Sequence, residues 1–286
     1  MRLFRRIMHR HAGYIFVLPW VIGFALFTAY PFFYSLYLSF FDVMITADGL
    51  DNTWLGIANY SQAVSEDIIF IRDVGAFAAN ALVSVPLIVI MALVIALILN
   101  RPLRGRGIFR TIFFLPVIIL SGPVIDRLSD IGATSFTYLH EYNFYWWLVF
   151  YDNFATNALV FVLDNIIILL WFSGVQILVF LAGLQKIDRQ AVEAAWVDGA
   201  SGWEVFWKIT LPALSSIILI NIVFTTVMYA QSALNLVVGH ITDNMWSVLT
   251  GFGYASALAW IYFLLILVLM GVMVGMFAVF SRKSAA

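Results

Sequence analysis

The chain has 286 residues, of which 63% are hydrophobic and 11% charged, with a formal net charge of −1. That is too apolar for one soluble domain and reads as an all-α bundle of membrane helices. With no cysteine, disulfides, thiolate metal sites and cysteine nucleophiles are excluded. His9, His11, His140 and His240 show no HExxH spacing, and neither G-x-S-x-G nor G-x-x-x-x-G-K-[ST] occurs. No catalytic residue, metal or bound cofactor is therefore expected, nor a nucleic-acid partner. If ATP drives this protein, another chain must bind it.

The chain opens on a basic segment, residues 1–13, with Arg2, Arg5, Arg6 and Arg10. The apolar run from Tyr14 to Phe40 exceeds the ~7–15 residues of a signal-peptide core and is expected to be an uncleaved first span. Phe41 to Arg72 reads as a polar loop, Val74 to Leu99 as the second span, and Asn100 to Gly107 as a short basic turn. A third span starts near Thr111 and fades by Asp126, shorter than the ~20 residues a crossing needs. From Arg127 to Ala155 the sequence is mixed, with Tyr142, Phe144, Tyr145, Trp146, Trp147, Phe150 and Tyr151 crowded together. Such amphipathic rings settle at membrane interfaces. Spans four to six are expected at Ala158–Leu184, Pro212–Leu234 and Tyr254–Phe280, so residues 14–280 form a six-span domain followed by a tail, 281–286.

Basic residues set the orientation. Thirteen of the fifteen lie at the N-terminus, between spans two and three up to Arg110, in the loop 185–211 and in the tail, leaving only Arg72 and Arg127 opposite. By the positive-inside rule both termini and the 185–211 loop face the cytoplasm.

That loop is densely punctuated. Asp188 is placed to N-cap a helix through Val197, and Asp198-Gly199 ends it, since glycine takes the left-handed conformation of a helix C-terminus. Ser201-Gly202-Trp203-Glu204 spells a capping box opening a second short helix, and Pro212 suits the first turn of the next span. Glu193-Ala194-Ala195, Gly199, Ile209 and Leu211-Pro212 stand in the spacing EAA, three residues, G, nine residues, I-x-L-P. This pattern resembles the EAA loop of the permease subunits of binding-protein-dependent ABC importers.

The likeness extends along the chain. Leu18-Pro19, Tyr30-Pro31, Ser39-Phe40, Gly56, Asn59-Tyr60, Asn100-Arg101, Phe114-Leu115-Pro116, Leu181-Ala182-Gly183-Leu184 and Gly253-Tyr254-Ala255-Ser256-Ala257 are similar to landmarks of the carbohydrate-type branch, related to maltose and glycerol-3-phosphate permeases. Two stretches depart from it. The G-x-x-N element after span three gives way to the aromatic segment, and Asn235 to Thr242 replaces the usual T-x-G-G-P. Asp188 stands where proline is common.

The resemblance implies the type I importer permease fold, with Glu193, Ala194, Ala195, Asp198, Gly199, Ile209 and Pro212 coupling the chain to an ATPase. It also implies a multi-pass protein of a prokaryotic inner membrane with a second, related permease, two cytoplasmic ATPase subunits carrying ATP and magnesium, an extracytoplasmic solute-binding protein and the lipid bilayer as partners. The solute is expected to be a carbohydrate, an oligosaccharide in the first instance.

Polar groups inside spans are costly unless they face a cavity or partner. Asn221, Thr225, Tyr229 and Ser232 share one face of span five at spacings of 4, 4 and 3. They are candidates for a sugar pathway, with helix–helix hydrogen bonding as the even alternative. Asn157 and Asp164 share a face of span four, near Asn165 and Gln176, while Asn80 and Ser84 on span two are weaker candidates and His240 is expected to cap or face water. No span carries a deep lysine or arginine, which disfavours a phosphorylated solute such as glycerol-3-phosphate. A membrane sensor that binds an ATPase without transporting is the rival from another class.

Overall fold

In the computed structural model the described residues are 14, 16–46, 49–101, 107, 111, 142–151, 153–232 and 234–285. Beyond Thr111, the third span expected near 111–126 lies outside them, as do the stretch 127–141 and the basic N-terminus. Among the described residues, α1 (Phe16–Leu38), α3 (Ile68–Asn100), Thr156–Leu184 of α5 (Phe154–Leu184) and Gly251–Ser281 of α10 (Gly251–Ala285) are long and apolar enough to cross a membrane. A fifth crossing is a bent pair, α7 (Gly202–Ala213) and α8 (Ser215–Ala230), meeting at 64°. Helices suit this composition because every backbone polar group is satisfied within the segment.

Proline shapes two of these helices. Ala25–Ala29 and Phe206–Thr210 are π-helical turns, each just ahead of a proline, Pro31 and Pro212. Proline has no N–H to return to the carbonyl four residues back, so the turn before it widens.

The residues fall into two compact units. One joins Met1–Arg72 to Gly239–Phe263. In it the segment expected as a loop, 41–72, is structured. Phe41–Thr46 (β1) and Gly49–Trp54 (β2) pair antiparallel in the register Phe41↔Trp54 to Thr46↔Gly49, followed by α2 (Ala58–Ser65). Alternating Phe41, Val43 and Ile45 supply the period-two pattern of a strand, hidden in the sequence among acidic residues.

Asn59 fastens the hairpin to the end of α1, its Nδ2 donating to the carbonyls of Ser39 and Phe41 at 3.0 Å each. The hydroxyls of Tyr60 and Ser39 meet at 2.6 Å. Gly56, at φ +63°, makes the turn between them. These are the same landmark residues on which the sequence resemblance rests. The lower part of α1 packs Phe32 on Trp260 and Phe263, and Trp260 Nε1 donates to Ser35 Oγ at 3.2 Å. The upper part is bare, with Phe16 85% and Phe27 83% exposed.

The other unit joins Asp73–Val238 to Leu264–Ala286. Its core is Ile88, Leu169 and Phe172, backed by Met91, Val162, Met228 and Tyr229, so α3, α5 and α8 pack together. Where α5 ends and α8 begins the helices nearly touch. A Cβ on Gly183 would run into the Ile217 and Leu214 side chains. The aromatic segment forms α4 (Asn143–Phe150), which packs on α5.

In the first unit Gly253 is equally tight, because a Cβ there would strike the Phe41 carbonyl. That atom is backbone and cannot swing aside. Gly253→Ala is therefore expected to lower stability by about 1–3 kcal/mol, read as a reduced unfolding temperature of the purified protein in detergent, whereas Gly271→Ala, with nothing within 4 Å of the new methyl, should not.

Candidate functional site

A cavity of about 200 Å³ opens among α3, α5, α8 and the segment after α8. Asp73, Asn80 and Ser84 line it from α3, Asn165 from α5, and Tyr229, Ser232 and Asn235 from α8 onward. Asn80 and Ser84 are one helical turn apart, which brings amide and hydroxyl to the same wall. The remaining wall is apolar, and three of its rings form a cluster. Tyr229 stacks on Phe77 at 5.9 Å and 28° and meets Phe172 at 5.7 Å and 60°. No lysine or arginine is among the described lining residues. Amides and hydroxyls beside flat rings are the groups that bind a polyhydroxylated, uncharged molecule, whose C–H faces lie on the rings.

The polar face expected on span five divides. Tyr229 and Ser232 line the cavity, but Asn221 and Thr225 are wholly buried deeper in the packing. Gln176 Nε2 on α5 donates to Thr225 Oγ1 at 2.9 Å, so here the hydrogen bond joins two helices. Both polar atoms of Asn221 and Oε1 of Gln176 have no partner among the described residues.

On α5, Asn157 is exposed and Asp164 half-buried, and neither is among the cavity residues. Asp164 instead accepts from the Tyr145 hydroxyl of α4 at 3.1 Å. Burial first, and then Asp164, push the Tyr145 phenol above its usual pKa, so it remains the donor. Asn165, one residue on, is the α5 group that reaches the cavity, because a single step turns a helix by about 100°. Asp73 and Asn235 were not candidates from sequence. Asp73 sits where a loop was expected to end, and Asn235 is placed by its own hydrogen bonds, donating to the Ala230 carbonyl at 2.8 Å and accepting from Val237 N–H at 3.1 Å.

A second candidate surface is the loop between α5 and α8. Asp188 caps α6 (Arg189–Val197) by accepting from Gln190 N–H at 2.9 Å. Asp198 closes the helix and Gly199 turns the chain at φ +84°. Ser201 and Glu204 form the reciprocal capping box of α7, and Lys208 lies 3.5 Å from Glu204. The Ser201 backbone N–H, then its hydroxyl, then Lys208 hold Glu204 below the ordinary carboxylate range. Glu193 and Ala194 lie on the exposed surface of α6, Ala195 and Ile209 are half-buried, and Pro212 is exposed. Around them Trp196, Val197 and Trp203 are 59%, 88% and 70% exposed, so this polar loop bares large apolar side chains.

His240 departs from expectation. It lies in α9 (Leu236–Met245), where its Nε2 and Asp67 Oδ2 are 2.7 Å apart, and its ring stacks on Phe70. The same Asp67 oxygen accepts from Tyr254 at 2.9 Å, and Oδ1 accepts from Phe70 N–H at 2.9 Å. Burial alone would raise the Asp67 pKa, but the Phe70, His240 and Tyr254 hydrogen bonds outweigh it and hold the carboxyl below its ordinary value. A carboxyl depressed on folding adds stability that is fully present above its unfolded pKa of about 4 and lost as pH falls through the folded value. Thermal unfolding scans should therefore show wild type losing more stability than Asp67→Asn as pH drops from about 6 to about 3.

No family model matches the chain. It is 36% identical over 225 residues to the probable ABC transporter permease protein YesP of Bacillus subtilis, covering 76% of this chain and 69% of that one. It is 30% identical over 240 residues to the lactose transport system permease protein LacF of Rhizobium radiobacter, covering 75% and 71%. Among solved structures, a bacterial alginate ABC transporter in complex with an alginate pentasaccharide-bound periplasmic protein contains a chain of the same fold. The TM-score is 0.63 at 19% identity, covering 94% of this chain and 95% of that one. With apolar helices long enough for several crossings and relatives at this identity and coverage, the chain is a multi-pass membrane protein belonging to the ABC transporter permease family.

Proposed function

We propose that this chain is the permease half of an importer for a neutral oligosaccharide, worked by separate ATPase subunits through the loop 185–211. The observation that carries the reading is the cavity, where Asn80, Ser84, Asn165 and Ser232 surround the ring cluster of Phe77, Phe172 and Tyr229, with no basic residue among the described lining residues. The lactose named for LacF supports the solute class.

In this reading the domain has six spans, the third near residues 111–126, with both termini cytoplasmic in the inner membrane of a prokaryote. A second, related permease completes the pathway, and an extracytoplasmic binding protein delivers the solute; the alginate transporter is found in complex with a pentasaccharide-bound periplasmic protein. ATP and magnesium stay on the ATPase pair. Glu193 offers a carboxylate to a basic cleft, Ala194 and Ala195 let the cleft close on α6, and exposed Trp196 and Val197 fill it. Asp198, Gly199, Ile209 and Pro212 hold the loop's shape. Closure of the ATPases moves the loops of both permeases together and turns the pathway outward, and nucleotide release resets it. Tyr229 and Ser232 contact solute, while Asn221 and Thr225 belong to helix packing. Asp164 and Asn157 lie outside the contact. An importer for a phosphorylated solute would want a cation in the wall, and none is present among the lining residues.

Two variants test the halves of this reading in vesicles holding the complete transporter. Tyr229→Ala should cut ATP-driven uptake of a neutral oligosaccharide by at least about tenfold, some 1.4 kcal/mol of solute binding, with assembly intact. Unchanged uptake removes the cavity from the pathway. Gly199→Val imposes a β-branched residue at a positive φ, a cost of about 1–2 kcal/mol, and should leave ATP hydrolysis running with uptake lost. A complex that hydrolyses ATP in wild-type form and moves no solute would favour a sensor.

A further inference from the structure

The short helix α4 carries no charge from Asn143 to Phe150, yet only Tyr145 and Leu148 on it are buried. The exposed rings are Phe144 at 62%, Trp146 at 57%, Trp147 at 54% and Phe150 at 84%, followed by Tyr151 at 54%. At ~100° per residue they sweep an arc of about 160° facing away from α5. A helix apolar on this scale belongs inside protein or inside a membrane, and among the described residues these rings remain more than half exposed.

The depth of α4 follows from α5. From Asp164 to Leu184, the last residue of the helix, is twenty residues. At ~1.5 Å rise each, that is about 30 Å, the ~30 Å thickness of a bilayer's hydrocarbon core. With polar Gln185 and Lys186 marking one boundary, Asp164 falls at the other, where a carboxylate keeps contact with water and headgroups. Tyr145 bonds to Asp164 at 3.1 Å, so α4 lies at that level. Tryptophan and tyrosine concentrate there because one edge of the ring is apolar and the other bears a donor.

We infer that α4 is a membrane-surface anchor: its ring face sits among the headgroups and upper acyl chains of the leaflet opposite the 185–211 loop. The Tyr145–Asp164 hydrogen bond and buried Leu148 fix its depth against α5. This rests on the membrane-spanning character of α5 and is independent of which solute is carried. The occupant is phospholipid, because an arc of this width, with no charged residue on the helix, suits a fluid surface better than a single flat protein face.

The chain lacks cysteine, so one introduced thiol labels it at one site. Spin labels at Trp147→Cys and, separately, Phe150→Cys would be read in vesicles holding the complete transporter, whose other subunits are made cysteine-free. Collision with oxygen should exceed collision with a water-soluble nickel chelate severalfold at both sites. The depth so measured should be shallower than at Val268→Cys, an exposed site within α10. Nickel exceeding oxygen would place α4 in water, and low access to both reagents would mean another subunit covers it; either result overturns the inference. If Trp147→Cys fails to assemble, Phe150→Cys alone decides. Adding Tyr145→Phe should shift or broaden the depth reading at Phe150→Cys. A reading unchanged by that substitution would overturn the anchoring role given to the hydrogen bond.

Discussion

The contact between α5 and α8 organises the larger unit. In a membrane there is no gain from hiding apolar side chains from lipid that is equally apolar, so helices are held by close packing and by polar groups that find each other. Here both occur along one seam. Gln176 reaches Thr225 across the middle, Gly183 lets α8 approach at one end, and at the other the cluster of Ile88, Leu169 and Phe172 draws in α3. The cavity opens where this seam gives way to Asn165, Tyr229 and Ser232. Its position is thus set by where small and hydrogen-bonded residues stop holding the helices shut.

The amide of Asn221, without a partner among the described residues, lies on α8 one turn from Thr225. An unsatisfied buried amide costs on the order of 1–3 kcal/mol, a large penalty for a single residue. Its partner must come from outside the described residues or from an internal water.

Much of this was legible in the sequence. Long apolar runs located α1, α3, α5 and α10, and capping chemistry located α6 and α7 to the residue at Asp188, Ser201 and Glu204, because caps are local and owe little to tertiary structure. The hairpin at 41–54 was missed because its alternation is short and interrupted by acidic residues, and pairing across a turn is a non-local event. For the cavity, helical spacing placed Asn221, Thr225, Tyr229 and Ser232 on one stripe, but α8 ends at Ala230 ahead of Ser232, and spacing cannot say how far along a stripe the neighbouring helix continues. Asp164 and Asn165 differ by a single step and face different surroundings. His240 depended on Asp67, 173 positions away, which no local pattern could reveal.

Gly183 and Leu214 stand at the two feet of the loop that carries α6 and α7. Since a bare hydrogen at Gly183 is all that separates the α5 backbone from the Ile217 and Leu214 side chains, the feet are clamped side by side, and the loop between them is closed like the handle of a cup. A load applied along that handle reaches both helices at its base. The path from α6 into α8 therefore runs through the bent junction at Leu214, the point at which α7 and α8 diverge by 64°.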